Sequence, residues 1–196
     1  ILKALSGNKH FAHFYQYGTH KKYKFVVMEL LGPSLIDLVN RQKPYKFNLH
    51  SLLKFGIQAI ETLQAIHKAG FVHRDIKPSN FVIGSTVETS KRIYLIDFGL
   101  CKKLFIKDGN VVMPSMKGNF RGTVRYASVN AHRRREIGRN DDLMSLIYIF
   151  VEFYSGNLPW LNIKDHDEVL RLKELYQGGS LLANMPPEFK YIKQLN

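Results

Sequence analysis

The stretch HRDIKPSNF, from His73 to Phe81, sets Arg74, Asp75, Lys77 and Asn80 within nine residues, between the apolar runs FV and FVI. A second stretch, DFG at Asp97–Gly99, follows the apolar run IYLI. Polar groups crowded so tightly between apolar segments serve a site more readily than a surface. Their types suit phosphoryl transfer. A carboxylate such as Asp75 can orient an attacking hydroxyl and accept its proton. A cation such as Lys77 can offset charge on a transferring phosphoryl group. Asn80 and Asp97 carry the oxygens that Mg2+ prefers, and Gly99 permits backbone angles that a side chain would forbid. Singly, each Asp is an ordinary cap or turn residue and Lys77 a solvated charge. The weight lies in their order and spacing.

Several elements must position these groups. FAHFYQYG and YKFVVMEL are rich in aromatic and β-branched residues and predict a hairpin over 11–18 and 23–30, bridged by THKK. ILKALSG reads as a helix tail with Gly7 as its C′ residue. LGPS then punctuates the chain, and Ser34 sits where an N-cap would. Apolar residues at 49, 52, 53, 57, 60, 63 and 66 predict a long helix closed by Gly70. FV, FVI and RIYLI read as short strands around the polar stretch. Residues 97–130 lack periodicity and predict a long irregular segment, a feature more often functional than accidental. DDLMSLIYIFVEFYSG is apolar nearly all round and predicts a buried helix. EVLRLKELY and PPEFKYIKQL predict further helices.

Composition sets outer bounds. The chain has 196 residues, 45% of them hydrophobic, which is enough for a substantial core. No run approaches the roughly 20 apolar residues of a membrane span, so no membrane association is expected. Cys101 is the one cysteine, so no internal disulfide can form, which fits a reducing compartment and an intracellular, cytoplasmic location. The net charge of +13 favours anionic partners. The opening ILKALSGNKH has no initiator Met and no leader pattern, and reads as a piece starting mid-protein.

H-R-D-x-K-x-x-N followed by D-F-G resembles the catalytic and metal-binding loops of protein kinases. Lys77, two residues after Asp75, matches the serine/threonine form. ELLGPSL, DFGL and GTVRYASVNAH resemble the casein kinase I superfamily, and FRGTVRYASVNAHRRREIGRNDDL with IFVEF and LPW is most similar to its tau-tubulin kinase branch. The resemblance implies an α+β, bilobal kinase-like fold. Residues 1–30 would be a remnant of the β-rich N-lobe, and residues 31–196 a C-terminally clipped, mainly helical C-lobe. It implies that Asp75 is the catalytic base, that Lys77 steadies the γ-phosphate and that Asn80 and Asp97 hold Mg2+. Met28 matches the gatekeeper, and Glu29, Leu30 and Leu31 the hinge that bonds the adenine of ATP. Thr123 matches the residue tying the catalytic Asp to the Lys. His73, Arg74 and Asp142 match structural supports of the catalytic loop. Arg125, Gly156 and Lys164 match an anion pocket favouring acidic or already phosphorylated substrates. Expected partners are proteins offering Ser or Thr, tubulin or microtubule-associated proteins among them, acted on by a monomer.

Some features stay open or depart from the pattern. Neither a Gly-rich phosphate loop nor a strand-borne Lys of the V-A-I-K kind precedes the hairpin, so the isolated piece is expected to be inactive. A pseudokinase or scaffold that binds acidic partners through its basic face is the alternative. Asp142 opens an apolar run, and taken alone it could be a helix N-cap. Cys101 lies near the expected ATP site and is a candidate reactive thiol. Ser115 is a candidate phosphosite that Arg74 would pair with. RRRE at 133–136 reads as a solvated turn or a substrate contact. His10, His13 and His20 lack zinc-like spacing. The aromatics at 11, 14, 15 and 17 read as strand packing rather than a base-stacking platform, so no nucleic acid is expected.

Overall fold

Two helices carry the core, and short strands attach the polar stretches to it. In the computed structural model, residues 1–107, 110–112, 119–177, 179–187 and 189 are described. Helix α2 (Leu49–Lys68) starts at Asn48, whose Oδ1 accepts the Ser51 amide at 2.8 Å. Its inner stripe holds Leu52, Phe55, Ala59, Leu63 and Ile66. Helix α4 (Arg139–Ser155) supplies Leu146, Ile149, Phe150 and Phe153 to the same core. The two helices approach closely at Gly56, where a Cβ would come within 3.2 Å of the Phe150 ring. Phe55 meets Phe81 and Phe150 edge to face, with centroids 5.1 and 5.8 Å apart. Helix α4 is buried nearly all round, as its composition predicts.

Short strands attach the site to this body. β3 (Leu31–Ser34), β5 (Phe81–Gly84) and β6 (Ile93–Leu95) form one antiparallel sheet in the order β3-β5-β6. β4 (Phe71–Val72) pairs with β7 (Lys102–Lys103). HRDIKPSNF therefore runs between β4 and β5, and DFG lies between β6 and β7. The segment expected to be irregular over 97–130 also carries β8 (Phe105–Lys107) paired with β9 (Asn110–Val112), and the start of α3 (Val129–His132). Their few residues are too short for a period to show. Helix α5 (His166–Tyr176) starts at Asp165, whose Oδ1 accepts the Glu168 amide at 2.7 Å. The helix expected over PPEFKYIKQL falls largely outside the described residues, as does Ser115.

The N-terminal region differs from the expectation. Residues 2–7 form turns, with an α-type bond from the Leu5 amide to the Ile1 carbonyl at 3.0 Å, and no helix tail is present. The hairpin is β1 (Phe14–His20) with β2 (Tyr23–Met28), and it closes over Lys21 and Lys22 alone. Residues 11–13 leave the ribbon because Phe11 and Ala12 turn into the core. Tyr15 and Tyr17 are 60% and 70% exposed, so strand packing does not describe them. Every residue of β2 is exposed. A two-stranded ribbon has one partner edge and no layer beneath it, so its aromatics stay wet.

Ser34 caps α1 (Leu35–Asn40) as its position suggests. Its Oγ accepts the Asp37 amide at 3.3 Å, and Asp37 Oδ2 accepts the Ser34 amide at 2.9 Å. Ser34→Ala removes one half of this reciprocal cap. It should lower stability by about 1 kcal/mol, read as a shifted urea midpoint with an unchanged m-value.

Candidate active site

The site is assembled around one carboxylate. Asp142 is 1% exposed in the first turn of α4. Its Oδ2 accepts the His73 amide and His67 Nε2, each at 2.9 Å, and its Oδ1 accepts the Arg74 amide at 2.9 Å. The capping role left open for Asp142 falls instead to Asp141, whose Oδ2 accepts the Gly138 amide at 2.7 Å. Two consecutive amides held by one carboxylate fix the peptide plane between His73 and Arg74. Arg74 then takes φ +69°, a left-handed value uncommon outside glycine. That turn carries Asp75 away from α4.

His73 is fully buried and braces the same loop. Its Nδ1 accepts the Asp75 amide at 3.3 Å, so its Nε2 carries the proton and donates to the Ile96 carbonyl at 3.2 Å. Burial lowers its pKa, which keeps the ring neutral in this role. The ring also lies 5.6 Å from Phe98, edge on, joining the two polar stretches. Arg74 Nε donates to the Leu100 carbonyl at 2.6 Å.

Asp75 is 8% exposed and fully oriented. Thr123 Oγ1 donates to its Oδ1 at 2.9 Å, and Lys77 Nζ donates to its Oδ2 at 2.6 Å and to Thr123 Oγ1 at 3.3 Å. Asn80 Nδ2 donates to the Asp75 carbonyl at 2.9 Å. Thr123 can approach only because Gly122 precedes it. Gly122 has φ +105°, and a Cβ there would lie 2.9 Å from the Arg74 carbonyl oxygen. Asp75, Lys77 and Asn80 are thus brought together as their spacing suggests, and Thr123 joins them as the resemblance implies. A cleft of about 590 Å3 opens beside Lys77 and Thr123, and Arg125, Tyr126 and Trp160 line its far side.

Asn80 and Asp97 are joined through the backbone, since the Ile96 amide donates to the Asn80 carbonyl at 2.9 Å. Asp97 has φ +61° and is exposed, and its Oδ1 accepts only the Gly99 amide, at 3.2 Å, among the described residues. With the Asn80 amide nitrogen committed to Asp75, its Oδ1 accepts no hydrogen bond from any described residue. No cluster of three or more His, Cys, Asp or Glu side chains forms a metal cage among the described residues. One carboxylate and one amide oxygen do fit a hard cation whose remaining ligands are water and phosphate oxygens.

The outlying residues are placed less tightly. Met28 ends β2 and is 41% exposed. The Glu29 amide donates to the His13 carbonyl at 2.8 Å, and the Leu30 carbonyl accepts the Ser85 hydroxyl at 2.8 Å. Leu31 opens β3 opposite Gly84. In the expected anion pocket, Arg125 is paired with Glu152 at 3.2 Å. Gly156 ends α4 with φ +79°, and Lys164 is exposed. Neither Gly156 nor Lys164 lines the cleft that Arg125 lines. Burial pushes the Cys101 thiol up to about 12, which disfavours the thiolate that a reactive cysteine needs.

Sequence reasoning missed His67, Glu152 and Trp160. Glu152 holds both Arg125 and the Tyr126 hydroxyl, the latter at 2.6 Å, and Trp160 Nε1 donates to the Arg125 carbonyl at 2.8 Å. The position of His67 in the last turn of α2 gives no hint of its partner. Trp160 is the chain's one tryptophan and follows a Pro, a signal that could have marked it. Asp142→Asn keeps the shape but turns an amide NH2 toward one of three buried donors. It should cost about 3 kcal/mol in urea unfolding, with the neighbouring Asp141→Asn as a control that disturbs the helix cap and not the loop.

Comparison with known proteins shows the family. The protein kinase domain model matches residues 1–192. The chain is 42% identical over 200 residues to a Dictyostelium discoideum protein named "Probable serine/threonine-protein kinase", covering 100% of this chain and 40% of that protein. It is 35% identical over 169 residues to a Caenorhabditis elegans protein that also bears a serine/threonine-protein kinase name, covering 86% of this chain and 51% of that one. The chain therefore spans about half or less of the curated relatives it matches. With α+β architecture, an Asp75 loop braced from α4 and a match along nearly its whole length, the chain belongs to the protein kinase domain family.

Proposed function

We propose that this chain is the catalytic core of a serine/threonine protein kinase that moves the terminal phosphoryl group of Mg-ATP to Ser or Thr hydroxyls of proteins. The observation that carries the reading is the hydrogen-bonded triangle of Asp75, Lys77 and Thr123 at the edge of the cleft. In this reading a substrate hydroxyl approaches Asp75, its oxygen forms the new bond to phosphorus, and its proton passes to the Asp75 carboxylate. The bond from phosphorus to the diphosphate breaks as this one forms. Thr123 and Lys77 hold the carboxylate in one rotamer, and the Lys77 ammonium offsets charge near the transferring group. Asn80 and Asp97 would hold the Mg2+, which supplies charge neutralisation on the phosphates. Met28, Glu29, Leu30 and Leu31 would flank the adenine as a hinge between an N-lobe portion, 1–30, and the C-lobe.

The finer assignment rests on the motifs. GTVRYASVNAH and LPW favour the casein kinase I superfamily and its tau-tubulin kinase branch. A net charge of +13 favours acidic or primed substrates, and the resemblance assigns Arg125 and Lys164 to their recognition. Microtubule-associated proteins or tubulin, met in the cytoplasm by a monomeric enzyme, fit that preference. The scaffold reading keeps the same basic face but has no use for Asp75, Lys77, Asn80 and Asp97 together.

Phosphate transfer from labelled ATP by the full-length protein decides between them. Asp75→Asn and Asp97→Asn should each lose about 100-fold or more in rate. If the parent incorporates no more label than these variants, the scaffold reading stands instead. Lys164→Glu should raise KM for primed peptides by about tenfold and leave unprimed peptides within about twofold. Equal loss on both classes would remove Lys164 from the anion pocket.

A further inference from the structure

Lys173 is a lysine in a place that lysines avoid. It sits on α5, is 1% exposed, and pairs with no carboxylate among the described residues. Instead, its Nζ donates to the Val124 carbonyl at 2.7 Å and to the Ala127 carbonyl at 2.6 Å. His132 Nε2 lies 3.2 Å away, and the rings of Tyr148 and Trp160 lie 5.0 and 5.2 Å from the amine. Burial draws the amine down to about 6. In its neutral form, two N–H groups serve the two carbonyls and the lone pair can accept the Nε2–H of His132.

The segment so gripped is the cleft wall. Thr123, Val124, Arg125 and Tyr126 line the cleft, and Thr123 also orients Asp75. The Tyr126 and Ala127 amides both donate to the Thr123 carbonyl, at 2.9 and 2.8 Å, so the segment is one tight turn. Of its carbonyls, Val124 and Ala127 go to Lys173 and Arg125 goes to Trp160 Nε1. The turn is therefore clamped from behind by acceptor capture, while its front faces the cleft. Without the amine the Ala127 carbonyl would lose its side-chain donor and the Val124 carbonyl would keep only His132 Nε2, at 3.3 Å, so the turn would carry a desolvation penalty and rearrange.

We infer that Lys173 is a positioning residue for substrate recognition: it holds the Val124 and Ala127 carbonyls and so sets the shape of the wall against which a substrate peptide lies. This inference rests on the kinase reading above. Its test uses the full-length protein, with peptide KM and ATP KM measured separately. Lys173→Met keeps the apolar stem and removes the donors. It should raise peptide KM about tenfold and leave ATP KM within about twofold, with amide exchange accelerated in 123–128 and not in α2. Lys173→Arg restores N–H donors and should return peptide KM to within about threefold of the parent. If Lys173→Met does not fold, Lys173→Gln, which keeps two N–H donors on a shorter arm, takes its place and should raise peptide KM severalfold. Unchanged peptide KM in the donor-poor variant, or an equal rise in both KM values, overturns the inference. An inactive parent protein instead sinks the kinase reading, and the exchange measurement still reports whether Lys173 holds the turn.

Discussion

The structure depends on the carboxylate of Asp142 being buried and still fully used. A desolvated carboxylate without donors would be costly, and here the donors are two successive backbone amides and His67. The same bonds that make Asp142 tolerable in the core fix the chain at His73 and Arg74. Because α4 is packed against α2 by Phe150 at Gly56, the reference frame for Asp75 is the rigid helical body. Within the loop, His73 and Asn80 add bonds to the Asp75 backbone.

A second buried group mirrors the first. Asp142 is an acceptor that captures N–H groups of one loop, and Lys173 is a donor that captures C=O groups of another. Both groups lie on helices. The two loops meet where Thr123 reaches Asp75. The geometry at that contact is thus set from both sides by side chains that never enter the cleft. Glu152 and Trp160 reinforce the second clamp by fixing Arg125 and Tyr126.

The candidate site was legible in the sequence because its residues are local. Asp75, Lys77 and Asn80 fall within six residues, and Asp97 follows a recognisable strand. Helices α2 and α4 announced themselves by period and by all-round apolarity, and Ser34 by its position before α1. What the sequence hid was long-range. Nothing near His67 names a partner 75 residues away, and nothing in α5 says that one lysine faces inward toward two carbonyls. Boundaries at the N-terminus were misread because Phe11 and Ala12 are as apolar as strand residues yet belong to the core. The raised pKa of Cys101 was hidden for a related reason, since burial is a property of the fold and not of the neighbouring letters.

Asp97 holds φ +61° with an exposed side chain whose only partner among the described residues is the Gly99 amide. A left-handed conformation costs a residue with a Cβ about 1–2 kcal/mol, which glycine escapes. The most stable residue for that backbone is therefore one with no carboxylate at all. In the proposed reading, where Asp97 holds the metal, thermal robustness and metal binding pull in opposite directions at this position. A library of variants sorted on survival at high temperature would drift toward glycine here, and, in the proposed reading, toward well-folded proteins that no longer transfer phosphate.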